Sequence, residues 1–217
     1  MGSAAASFVT EMAMAHVPVL TQELLDLLDV RVDSRVVDCT FGGGGHAAAV
    51  AADLGPHGVL VACDQDPIAE DYYIDLRAEL RCRSRFFLGN FADSLHELAE
   101  NGFKATHIYM DLGVSSMQID TPDRGFSYSY DAPLDMRMDP SLPVTAGDIL
   151  NSWPEEALTT LFGRYGEERY SRRIARAIVN RRAHTPYART TELVDTIKTA
   201  IPTPARFAAG NPARRIF

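Results

Sequence analysis

The sequence predicts an α/β fold, a parallel sheet covered by helices and followed by an all-helical unit. Three observations predict it. Short apolar runs alternate with helical stretches through the first half of the chain, as strands and covering helices do. A run of four glycines, residues 42–45, falls between the first apolar run and the helix after it. Beyond residue 147 the periodicity is helical, with no convincing strand.

The elements follow in order. Thr21 can cap a helix over 21–28, whose Leu24, Leu25, Leu27 and Leu28 supply an apolar face. Residues 35–39 read as a buried strand, and after the glycines an alanine-rich helix is expected over about 46–54. Residues 58–63 form a second strand, ended by Asp64-Gln65-Asp66-Pro67 and followed by a helix to about residue 80. A short third strand is expected over 85–88, a helix over 92–100, and a fourth strand over 106–110 that ends at Asp111. Residues 115–147, rich in Ser, Asp, Pro and Gly, read as an irregular, packed connection. Helices are then expected over 148–152, 154–165, 168–182 and 191–201. Near the end, Asn211 is a candidate N-cap with Pro212 in the first helical position. A sheet with one unfinished edge and a helix that begins and stops within a turn lead us to expect a truncated form of a longer chain.

With 217 residues, 46% hydrophobic content, 23% charge and a mean hydropathy of -0.10, the chain can bury a sizeable core, which excludes disorder and collagen-like repeats. Its formal charge of -8 argues against a simple electrostatic nucleic-acid binder, yet the charge is unevenly divided. Residues 1–163 carry nine basic against 25 acidic side chains, and residues 164–217 carry twelve against four. Cys39, Cys63 and Cys82 show neither disulfide nor zinc spacing, so no metal site is expected. Residues 1–16 lack the basic and apolar regions of a signal peptide, and the longest apolar run, 47–52, is far below the ~18 residues of a membrane span. A soluble protein of the reducing cytoplasm, with no membrane partner, is expected.

Glycines between a strand and a helix let backbone N–H groups approach a ligand near the positive helix end. Residues 42–47 fit G-x-G-x-x-A, and Asp64 follows Gly44 by twenty residues at the end of the next strand, where a carboxylate can bind a ribose diol. A nucleoside ligand follows. This pattern alone does not separate a dinucleotide from S-adenosylmethionine, and the plainer alternative for Asp64 is a cap of the helix after Pro67. Asp38 and Asp111 place two more carboxylates at strand ends. Each could be a cap, but together they suit a cationic sulfonium nucleoside better than a pyrophosphate.

Six segments carry a resemblance: Thr40-Phe41-Gly42-Gly43-Gly44-Gly45-His46, Asp64-Gln65-Asp66-Pro67, Asp111-Leu112-Gly113-Val114-Ser115-Ser116-Met117-Gln118, Arg124-Gly125-Phe126-Ser127, Pro133-Leu134-Asp135-Met136-Arg137-Met138-Asp139 and Tyr165-Gly166-Glu167-Glu168. In this order and spacing the chain, from His16 onward, resembles the bacterial 16S ribosomal RNA cytosine-N4 methyltransferase family. It departs from that family at Gln65, where Arg is usual, at Asn211, where His is usual, and after Phe217, where the family pattern continues. The resemblance implies a Rossmann-like class I methyltransferase domain interrupted by a helical insertion. It implies a domain division into 1–114, the cofactor-binding α/β part, 115–209, connection and insertion, and 210–217, the start of the return. It also implies S-adenosylmethionine as cofactor, held by Gly44, Gly45, His46, Asp64, Phe91 against the adenine, Asp111 and Gln118. The implied substrate is the exocyclic amine of a decoding-site cytidine in the small ribosomal subunit.

Cytosine N4 is a weak nucleophile, so a transferase must align it with the methyl group and accept a hydrogen bond from the amine. Asp111, or the carbonyls of residues 112–114, is the candidate catalytic group. The stretch 164–189 holds eight arginines against two glutamates. Arg169, Arg172, Arg173 and Arg176 are candidate RNA phosphate contacts, Tyr165, Tyr170 and Tyr187 candidate stacking partners, and Ile174, Ala177 and Ile178 the core side of that helix. A solvated helix face paired with the acidic body is the plainer alternative. Met136 and Met138 are expected to be buried with Arg137 exposed or paired, and His16 and His107 to be structural. The runner-up functions are a non-catalytic cofactor- or RNA-binding remnant and an NAD-dependent oxidoreductase.

Overall fold

The computed structural model describes residues 18–206 and 210–217, so His16 lies outside the described residues. The chain divides into two compact units, Met1–Ser116 and Met117–Phe217.

The first unit is a four-stranded parallel sheet with helices on both faces. Its elements are α1 (Thr21–Leu28), β1 (Arg35–Asp38), α2 (Gly45–Ala52), β2 (Val59–Asp64), α3 (Ile68–Arg77), β3 (Arg83–Leu88), α4 (Phe91–Glu100) and β4 (His107–Tyr109). Alternate residues of the central strands feed opposite cores, as period-two geometry requires. Val36, Leu60 and Ala62 pack with Ala47, Val50, Ala69 and Tyr73 on one face, and Leu24, Leu25 and Leu28 of α1 join them. Val37, Val61 and Cys63 pack with Leu98 on the other, joined by Phe91 and Leu95 of α4. Leu27, expected on the apolar face of α1, is 85% exposed. Thr21 does not cap that helix: Leu20 holds the capping position, and the Thr21 hydroxyl donates to the Pro18 carbonyl at 2.9 Å.

Strand β3 starts two residues earlier than expected. Arg83, Ser84 and Arg85 pair with Val59, Leu60 and Val61, and an edge strand tolerates polar side chains, so its apolar signal is short. The order β3-β2-β1-β4 places the reversal of winding between β1 and β4. In open α/β sheets that crevice, at the carboxyl ends of the strands, is where ligands bind.

The second unit is helical: α5 (Ser116–Asp120, beginning at the boundary), a 3-10 turn (Pro122–Arg124), α6 (Ala146–Ser152), α7 (Glu155–Arg164), α8 (Ser171–Arg182), α9 (Thr190–Ala200), α10 (Thr203–Arg206) and a 3-10 turn (Pro212–Arg215). Leu134, Leu150, Leu158, Phe162, Ile174, Ile178 and Ile197 form its core. Helix α8 begins later than expected because the Glu168 carboxylate takes the Tyr170 N–H at 2.7 Å and Glu167 is left-handed, at φ 49°. Ala175, rather than Ala177, completes its buried face.

The irregular segment before α6 is tied down by polar contacts. Buried Thr190 donates to the Tyr130 carbonyl at 2.6 Å and accepts from the Ala132 N–H at 3.0 Å. Arg137 grips Asp135 through two bonds of 2.8 and 2.6 Å and the Leu142 carbonyl at 2.7 Å. Arg124 donates to the carbonyls of Arg137 and Met138 at 2.8 and 2.9 Å. Met136 packs on the helical core, with Arg137 paired beside it. Residues 210–217 belong to this same unit: Ala213 is buried in the helical core, and the Asn211 side chain caps its turn by accepting from the Ala213 N–H at 2.9 Å. Only glycine fits at 166, because a Cβ there would overlap the Arg215 carbonyl oxygen.

Candidate active site

The carboxyl end of β1 runs directly into the glycine loop. Gly42 and Gly44 adopt positive φ, 53° and 78°, which non-glycine residues rarely take. A Cβ on Gly44 would stand 2.7 Å from the Phe41 ring, which is itself wedged edge-on between Tyr73 and Phe86. The loop delivers the chain into α2, whose first-turn N–H groups, starting at Gly45, have no helical acceptors and point a positive end outward. His46, in that turn, shares a hydrogen bond with the Val19 carbonyl through Nε2 at 3.0 Å.

Asp64 ends β2 and holds the loop in place. Its Oδ2 accepts from the Gly42 N–H at 2.7 Å and its Oδ1 from the Asp66 N–H at 2.9 Å. It is not the cap of α3; Asp66 accepts from the Ile68 N–H at 3.2 Å instead. Burial pushes the Asp64 pKa above its ordinary value, against the backbone donors that favour the carboxylate.

Asp38 departs from expectation. It is 1% exposed, with Oδ1 accepting from the Thr40 N–H at 3.0 Å and Oδ2 from the Tyr109 hydroxyl at 2.7 Å. Burial pushes its pKa up to about 6, opposed by the Tyr109 and Thr40 donors and by His46. A carboxylate so enclosed supports the loop rather than meeting a ligand.

Across the crevice, β4 stops at Tyr109, two residues before Asp111. Asp111 is exposed, and its N–H donates to Thr40 Oγ1 at 2.7 Å. The Cys39 N–H donates to the Tyr109 carbonyl at 3.0 Å. Thr40 and Tyr109 thus stitch the two sides of the crevice together. The sequence offered no signal for either role: Tyr109 reads as one more apolar strand residue and Thr40 as a loop residue.

Phe91 opens α4 half-buried, packed with the Cys63 and Leu98 side of the sheet. Gln118 is buried on α5, in the second unit. In that unit Arg169, Arg172, Arg173 and Arg176 are all exposed, and Arg169 lies over the Tyr170 ring at 4.7 Å. Tyr165 is 74% exposed, but Tyr187 is not available for stacking: it is buried, its hydroxyl bonded to Thr196 Oγ1 at 2.7 Å. His107 bonds Thr106 Oγ1 through Nδ1 at 2.8 Å. Cys39 and Cys63 are free and buried, their thiols pushed up to about 11 and about 12 by desolvation, so neither is a nucleophile. No group of metal-ligating side chains occurs among the described residues, and no helix there is long and apolar enough to cross a membrane.

A glycine loop entering a helix at the switch point of a parallel sheet, with an acidic strand end on either side, defines a Rossmann-like nucleoside-binding domain. The MraW methylase family matches residues 13–217, and the chain belongs to it. It is therefore an S-adenosylmethionine-dependent methyltransferase, which decides against the dinucleotide. The residues present fit that cofactor. A Cβ built on Gly89 or Gly113 would meet nothing within 4 Å, and one on Gly42 would make only ordinary contacts, with Ser115 at 3.8 Å and the Thr40 carbonyl at 4.0 Å, so the carboxyl edge is open where backbone donors and Asp64 face it.

Proposed function

We propose that the chain methylates the N4 amine of a decoding-site cytidine in small-subunit ribosomal RNA, in the cytoplasm. The observation that carries this reading is the 2.7 Å bond from the Asp111 N–H to Thr40 Oγ1, which holds an exposed carboxylate beside the glycine loop. The cofactor, when bound, supplies an electrophilic methyl group on a positively charged sulfur. First-turn amides of α2, from Gly45 and His46, bind its carboxylate, Asp64 its ribose, and Phe91 its base. Asp111 accepts a hydrogen bond from the cytosine amine, drawing electron density onto N4 as its lone pair leaves ring conjugation. The target base must leave its stack to reach such a crevice. Exposed arginines of α8 meet the RNA backbone.

The protein incubated with S-adenosylmethionine and small-subunit RNA, free or assembled, should yield N4-methylcytidine on nucleoside mass spectrometry. Methyl transfer to another atom, or to neither RNA form, overturns the reading.

A further inference from the structure

Helices α1, α3, α4, α6, α7 and α9 each carry an acidic residue in the first turn, where the helix dipole favours negative charge. Helices α2, α5, α10 and α8 carry none, and α8 alone of these four places arginines, Arg172 and Arg173, directly after its first residue, with Arg176 one turn on. Both the dipole and the like charges at i and i+4 disfavour this arrangement. Natural proteins place such unfavourable local choices chiefly at functional or strained sites.

The three arginines line one cavity of about 360 Å³ between α8 and α9, together with Asn180 and Thr199. No carboxylate lines it. The guanidinium groups of Arg172 and Arg173 have no hydrogen bond or ion pair among the described residues. Arg176 makes one long contact to Glu155 at 3.3 Å while remaining 65% exposed. Arg206 donates to the carbonyls of Thr199 and Ile201 at 3.1 and 3.2 Å, neutralising the negative end of α9 that adjoins the groove.

We propose that this groove grips two neighbouring backbone phosphates of the RNA substrate, a proposal that rests on the RNA reading above. Guanidinium forks bind phosphate oxygens in pairs, and those of Arg172 and Arg173 lie free here to do so. Arg172 and Arg176 stand about 5–6 Å apart at their Cβ atoms, as one-turn neighbours do, a spacing that suits successive phosphates of one strand. Asn180 and Thr199 add neutral donors and acceptors of the kind a ribose 2′-hydroxyl uses. No aromatic ring lines the cavity, so it reads backbone and not base.

The test is the salt dependence of binding to a small-subunit RNA fragment. Each phosphate contact contributes roughly 0.7–0.9 to the slope of log K against log salt, so R172Q/R173Q should lower the slope by about 1.5. Carried from ~1 M to ~0.1 M salt, that is about 30-fold weaker binding. R77Q/R81Q, which removes the same charge from exposed sites in the other unit, should change the slope far less. S-adenosylhomocysteine affinity should be unchanged in both variants, which also reports folding. If wild type binds RNA and R172Q/R173Q keeps its slope, or if R77Q/R81Q loses as much, the groove proposal is overturned while the RNA reading stands. If wild type binds no small-subunit RNA, both fall. Saturable binding of inorganic phosphate at matched ionic strength that leaves RNA affinity untouched overturns RNA as the occupant.

Discussion

The Tyr109 hydroxyl donates to Asp38 Oδ2 at 2.7 Å, joining the ends of β4 and β1 inside the protein directly beneath the crevice. Burial and the Asp38 charge hold the Tyr109 pKa well above 10, so the phenol remains a donor at every working pH. Tyr109→Phe should destabilise the protein at pH 7 by about 1–3 kcal/mol, the cost of leaving a buried acceptor without its donor. Urea unfolding checks this, and the loss should shrink near pH 5, where the carboxyl becomes protonated. An unchanged midpoint at pH 7 would remove the pair from the stability of the crevice.

Asp38 also sets a pH dependence. Its folded pKa of about 6 lies above its ordinary 3.8, so the folded state binds the proton more tightly. The stability this gives is fully present below pH 3.8 and is lost as pH rises through 6, a change of about 3 kcal/mol. Asp38→Asn should lack this slope. The difference in unfolding free energy between wild type and variant should therefore move in favour of wild type as pH falls from 7 to 4.5, and parallel pH profiles would contradict it.

Gly44→Ala tests the loop. Its φ of 78° costs about 1–2 kcal/mol for an L-residue, before the new methyl meets a Phe41 ring that has no room to retreat. Calorimetry should show S-adenosylhomocysteine affinity reduced about tenfold or more, the equivalent of 1.4 kcal/mol.

Asp111→Asn should slow methyl transfer by roughly 10²-fold or more, the range for a positioned proton-accepting group. Single-turnover rates at saturating cofactor, set beside S-adenosylhomocysteine affinity, separate its two proposed roles. Equal losses in both would leave Asp111 as a cofactor contact and no more.

Thr190→Val removes a buried hydroxyl that serves both the Tyr130 carbonyl and the Ala132 N–H. The loss should be about 1–3 kcal/mol, with faster hydrogen exchange at Ala132 as its local sign.

Much of the first unit is readable from residues alone because its forces are local. Unbroken apolar runs buried on both faces in β1 and β2, glycines at a strand end and aspartates at the next strand ends all leave marks in sequence. What escaped depends on partners far along the chain. Asp38 and Asp64 look alike as strand-end acids, and only Tyr109, 71 residues from Asp38, makes one a buried support. Tyr187 resembles Tyr165 until Thr196 and the helical core enclose it. Residues 83 and 84 leave no such mark because an edge strand need not be apolar.

Between the 3-10 turn at 122–124 and α6, two guanidinium groups stand in for regular secondary structure. Arg137 and Arg124 hold carboxylate and carbonyl oxygens that a ladder or helix would otherwise satisfy, and Arg137 keeps the Asp135 pKa below its ordinary value. This stretch is thus cemented by charge, while the helices around it are cemented by oil. Acid or concentrated salt should loosen the stretch before the helices, whereas cooling, which weakens apolar burial, should spare it longest.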